Sequence, residues 1–184
     1  MTGITLGIWL LAALAPPARA TVLKELGLAE LTRLADRVVV AKVEARRSRW
    51  EAGRIVTDVV LMVEDSAKGD ARPGDRVVVT TLGGSVNGIG MRVIGEAAFV
   101  QGETALVFMQ GGKAGMQVVG MAQGRLPVSL DAAGVRTVRA DLGGAHLLVK
   151  DRRGRSVVTP ALGLRLAGRP LADVVAEVRA LVKQ

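Results

Sequence analysis

Val38-Val39-Val40-Ala41-Lys42-Val43 and, after an arginine-rich interval, Ile55-Val56-Thr57-Asp58-Val59-Val60-Leu61-Met62-Val63 decide the fold class. The first run is β-branched, as a strand prefers. In the second, Ile55, Thr57, Val59, Leu61 and Val63 fall on one face, and Asp58 and Glu64 mark the other. Val60 and Met62 make that other face only partly polar, so a cover over it is expected. Arg76 to Leu82 reads as a third strand, after the turn cluster Arg72-Pro73-Gly74-Asp75. Thr104 to Met109 is an unbroken apolar run and reads as a buried strand. Met91 to Ile94, Gln117 to Met121, Leu126 to Leu130, Val135 to Val138, Leu147 to Val149 and Val157-Val158 read as shorter strands.

Helical periodicity occurs near both ends. Leu28, Leu31 and Leu34 place a short helix over 26–35. Leu171, Val174, Val175, Val178, Leu181 and Val182 form one apolar stripe behind Pro170, which predicts a C-terminal helix packed on the sheet. Many short strands with flanking helices imply a mainly β chain, organised as a small closed or partly closed barrel with helical plugs. Gly111 to Gly115 reads as a loop inside one domain.

The N-terminus carries an address. Ile4 to Leu14 is apolar but too short to span a bilayer as a helix. Pro16-Pro17 and the small-x-small site Ala18-Arg19-Ala20 follow it, the order of a secretory signal peptide. Residues 1–20 are read as that signal and 21–184 as one β-rich domain. Cleavage leaves about 164 residues, enough for one core. The expected location is periplasmic or extracellular.

The chain holds no cysteine, which removes disulfides, thiolate metal sites and thiol catalysis. An exported domain of this kind depends on its aliphatic core. The net charge is +8, most of it from arginine, and draws the protein towards anionic partners.

The segment 35–43, the hairpin into Ile55-Val56-Thr57-Asp58-Val59, and Lys68-Gly69 together resemble the opening of netrin-like modules and of tissue inhibitors of metalloproteinases. They also resemble a set of uncharacterised exported bacterial proteins. The resemblance spans approximately residues 31–109 and implies an OB-like five-stranded barrel there. The hairpins and helix of 110–184 then lie beyond it. Those inhibitors resemble one another in an N-terminal cysteine braced by disulfides. The predicted mature N-terminus here is Thr21, so no functional residue of that family carries over, and inhibition stays an analogy of fold.

Two stretches stand out as candidate contact sites. Arg46, Arg47, Arg49, Trp50 and Arg54 combine charge with a stacking surface suited to an anionic partner. They are expected at a solvated hairpin tip, with Arg47 and Arg49 on one side and Arg46 on the other. Trp50 could instead fold over the barrel end. Gly84, Ser85 and Asn87 lie in a glycine-rich loop, 83–90, whose backbone could approach a ligand. This loop lacks the lysine of a phosphate-binding loop, with Ile89 there, and lacks the second glycine of a nucleophile elbow, with Asn87 there. His146, the single histidine, has no nucleophile signature near it. Asp65, Asp70 and Asp75 lack calcium-loop spacing and read as turn and strand-end residues.

The residues therefore point to a non-enzymatic exported binding module without cofactor or metal. Its expected partner is a protein or an anionic envelope component. A secreted hydrolase using the Ser85 loop and a polyanion-binding domain are the alternatives. Too few aromatics remain to stack single-stranded nucleic acid.

Overall fold

The computed structural model describes residues 22–112, 115–150, 153–159 and 166–184. Residues 1–20, the segment read above as a signal peptide, lie outside the described residues. The chain is mainly β, with a large sheet and two helices.

In order, the elements are β1 (Val22–Lys24), α1 (Leu28–Leu34), β2 (Arg37–Glu51), β3 (Arg54–Lys68), β4 (Arg76–Leu82), β5 (Gly84–Val86) and β6 (Ile89–Met91). Then come β7 (Thr104–Gly112), β8 (Gly115–Val118), a 3-10 turn (Met121–Gly124), β9 (Arg125–Leu130) and β10 (Arg136–Val138). The last are β11 (His146–Lys150), β12 (Ser156–Thr159) and α2 (Leu171–Val182). The main sheet runs β10-β9-β7-β2-β3-β4-β8. Its end strand β8 meets β4 in parallel at Val79↔Met116 and also pairs antiparallel with β7, from Met109↔Val118 to Gly112↔Gly115. A smaller sheet has the order β1-β11-β12, and β5 pairs with β6.

Strand alternation sends neighbouring residues into two different cores. Val38 and Val40 of β2, with Leu106 and Phe108 of β7, enter the core shared with Leu31, Leu171, Val174, Val175 and Val178 of the helices. Val39, Ala41 and Val43, with Ala105, Val107 and Met109, enter the second core with Val59, Leu61, Val77 and Val79. Apolar surface on both faces is why β2 and β7 read as unbroken runs rather than as alternating ones. The expected face of β3 is buried from Ile55 to Val63, while Val60 and Met62 are half-buried.

Both helices lie on the first core, so neither plugs the second. That role falls to Ala97 and Phe99, from the segment between β6 and β7. Several strand ends also differ from expectation. Met91 ends β6 rather than starting a strand, β8 stops at Val118, and Met121 opens the 3-10 turn. The strand β1, too short for periodicity to reveal, aligns in parallel with β11 through Val22↔His146 to Lys24↔Leu148.

Candidate functional site

The arginine-rich segment is strand, not tip. The ladder between β2 and β3 continues through Arg46↔Val59, Arg47↔Asp58 and Arg49↔Val56 to Glu51↔Arg54. Only Ala52 and Gly53 turn, both at positive φ (47° and 76°), as a two-residue hairpin requires. The register shifts between Val43 and Ala45, a bulge that moves every later side chain to the other face. Arg46 and Ser48 thereby continue the face of Val43, opposite Val59 and Thr57. Arg47 and Arg49 share the other face, as alternation predicts.

Arg49 is not a free cation. Its Nε donates to Asp58 Oδ2 at 2.7 Å and its Nη1 to Glu51 Oε2 at 2.6 Å. This guanidinium, helped by the Thr80 hydroxyl, holds the Asp58 carboxyl below its ordinary range against the opposing effect of burial. Arg46, Arg47 and Arg54 form no ion pair with any described residue and are exposed. Trp50 is 50% exposed and does not cap the core.

The glycine-rich loop is a hairpin. Asn87 and Gly88, at φ 51° and 79°, make its turn, the Asn-Gly signal of a tight β-hairpin. The hairpin folds back over β2 and β3. Ser48 and Thr57 hydroxyls lie 2.8 Å apart, and Thr57 donates to the Gly83 carbonyl at 2.6 Å, so the shared proton comes from Ser48. The Ser85 N–H approaches Ser48 Oγ at 3.4 Å. Gly84 sits at φ 133°, and a Cβ there would overlap Ser48 Oγ and Thr57 Oγ1. Gly84→Ala is therefore expected to cost about 2 kcal/mol or more from overpacking and strain. Faster amide exchange at Ser85, with lowered thermal stability, would register it; an unchanged hairpin would refute the close docking.

The two candidate stretches converge. Arg46 and Gly84 line one cleft of about 360 Å³, together with Val59, Met91, Val93 and Phe99. Arg92 also lines it and forms no ion pair with a described residue; its guanidinium runs beside Gly144. Arg54 lines a second cleft of about 390 Å³. Asn87 and Trp50 line neither of these two.

Glu96 borders both clefts and eluded the sequence reading. Burial raises its carboxyl above the usual glutamate range, partly offset by the N–H groups of Ala97 and Leu82. The native state thus binds this proton more tightly than the unfolded chain. Stability falls as pH climbs from the ordinary glutamate range through the raised value. Glu96→Gln is expected to remove that fall, so urea midpoints of variant and parent should separate in the variant's favour at pH 7 and draw together at acid pH. A parent that gains stability over this window would contradict it.

Behind Phe99 lies Arg125, whose side chain is 3% exposed. Its guanidinium stands 5.2 Å from the Phe99 ring centre, pairs with Glu103, and donates to Asp141 Oδ2 at 2.9 Å. Burial alone would raise the Asp141 carboxyl. The Gly143 N–H and Arg125 outweigh it, and the group sits below its ordinary range. Arg125 Nε is buried without a partner among the described residues. An arginine inside the apolar strand Arg125-Leu126-Pro127-Val128 is a visible anomaly, but its acidic partners are distant in sequence.

His146 opens β11, and its buried Nδ1 has no partner among the described residues. Asp65 pairs with Arg179, Asp70 with Arg37, and Asp75 accepts the Arg72 N–H. Among the described residues no group of three potential metal ligands gathers, and no helix is long and apolar enough to cross a membrane. Set against protein-family models, curated proteins and solved structures, the chain matches none.

Proposed function

We propose that this protein is an exported binding module, not an enzyme, which holds an anionic protein or envelope component at the arginine-rich end of an OB-like barrel. Exposed arginines without ion-pair partners support this reading. Arg46 and Arg92 line one cleft and Arg54 the other, Arg47 stands on the face opposite Arg46, and none of the four forms an ion pair among the described residues, while Arg49 bonds both Asp58 and Glu51. Exposed, unpaired guanidinium groups keep their charge and their planar donors for an incoming anion.

The barrel reading has its own support. Strands β7, β2, β3, β4 and β8 follow one another, and β8 bonds back to β7. Bulges in β2 supply the bending that closure needs. The location is supported by the sequence pattern of residues 1–20 alone.

Retention on immobilised lipopolysaccharide and on poly-aspartate provides the test. The parent is expected to bind with steep salt dependence. Arg46→Ser/Arg47→Ser/Arg54→Ser should lose most of that retention with stability nearly unchanged, because exposed charges contribute little to folding. Retention of the triple variant equal to the parent at low salt would overturn the reading.

A further inference from the structure

The cleft between the β5–β6 hairpin and the Ala97–Phe99 segment holds charges of both signs, and they do not neutralise one another. Arg46 and Arg92 stand on its lining without an ion-pair partner among the described residues. Glu96 stands on the same lining, half-buried, and accepts from the neutral N–H donors of Ala97 and Leu82. No ion pair joins Glu96 to either arginine. Charges of both signs thus line one cleft without pairing with each other.

We propose that this cleft binds a small α-amino zwitterion, a free amino acid or dipeptide with an apolar side chain. Arg46 and Arg92 take its carboxylate and Glu96 takes its ammonium, while Val59, Val93 and Phe99 receive its side chain. The proposal rests on reading the chain as a binding module and adds a ligand class to it.

Three physical features favour this ligand. A partly desolvated carboxylate with no cation nearby is costly, and a ligand ammonium would remove that cost. Guanidinium groups match a carboxylate through parallel N–H donors. The volume, about 360 Å³, is at the small end of ligand sites and suits one or two residues rather than a polymer. A purely anionic amphiphile would satisfy the arginines but would set its charge against Glu96. A purely cationic one would meet the arginines.

Calorimetric titration of the purified chain with leucine, Leu-Leu, N-acetyl-Leu-Leu and Leu-Leu-amide tests each contact separately. Leucine against Leu-Leu decides between the single residue and the dipeptide. At least one of the two should bind, and the acetylated and amidated forms should bind at least tenfold more weakly. Glu96→Gln should weaken the favoured zwitterion about tenfold, while N-acetyl-Leu-Leu and retention on lipopolysaccharide become no weaker. Arg46→Ser/Arg92→Ser should weaken the zwitterion similarly but spare Leu-Leu-amide. Thermal unfolding of each variant confirms that it is folded.

Absence of binding by both leucine and Leu-Leu at millimolar concentration overturns the proposal. Equal binding of Leu-Leu, its acetylated form and its amide also overturns it, because the cleft would then recognise apolar surface alone. Retention on polyanion without zwitterion binding leaves the module reading standing and removes this ligand. Zwitterion binding without polyanion retention leaves this ligand and the module standing and removes the anionic partner.

Discussion

Arg125→Met is expected to destabilise the protein by about 3 kcal/mol, which lowers the melting temperature of a chain this size by roughly 10 °C. The substitution keeps most of the side-chain volume and removes one buried charge. It leaves Glu103 and Asp141 facing each other without their shared cation, and it removes the guanidinium beneath Phe99. Breaking a buried pair by deleting one partner costs more than the pair contributes, here chiefly because Glu103, 19% exposed, stays largely desolvated, whereas Asp141, 44% exposed, regains water. Glu103→Gln/Arg125→Met/Asp141→Asn should therefore recover at least half of the loss. Acid titration gives a second readout. Asp141 is held below its ordinary range, so its contribution is present above the unfolded-state value and disappears as pH falls through the folded one. That acid dependence should shrink in Arg125→Met. A variant as stable as its parent would show that the network does not brace the fold.

The second large effect is expected from Val178→Asp, at about 4 kcal/mol. Val178 is 0% exposed and shares its core with Val38, Val40, Phe108 and Val138. A carboxylate there has no cation in that core to meet, so the helix must undock or the group must protonate. Val178→Ala should cost about 2 kcal/mol through lost methyl burial. Val182→Ser, on the same helix at a position 44% exposed, should change stability by no more than about 0.5 kcal/mol. Chemical denaturation would rank the three. Loss of similar size in all three would mean that the helix does not dock by the Val174–Val178 face.

Local pattern made the strands legible. Val38 to Val43, Ile55 to Val63, Arg76 to Leu82 and Thr104 to Met109 all lie in strands, because β-branched and apolar runs bounded by turns have few other stable forms. The C-terminal stripe was equally plain, since apolar residues at helical spacing must cover something, although the expectation reached one residue too far: Val182 is exposed. The Asn87-Gly88 turn was also present in the residues, masked by the glycines around it.

What escaped depends on register and on distance along the chain. Which face Arg46 occupies turns on one bulge near Glu44, and a single-residue slip inverts all side chains beyond it. Glu96 lies in a segment with no periodicity, and burial in the folded chain desolvates it. Arg125 meets partners from separate turns.

The sequence by itself determined that the chain is mainly β, that its core is aliphatic, that its net charge is positive and that its last helix is amphipathic. These follow from composition and local spacing, which act on neighbouring residues. Tertiary structure alone decided that Ala97 and Phe99, not the helices, fill the second core. It also decided which arginines are spent on Asp58, Glu51, Glu103 and Asp141, and which are left facing a cleft. Charge pairing is set by distances in space between residues far apart in sequence, and no local pattern encodes those distances.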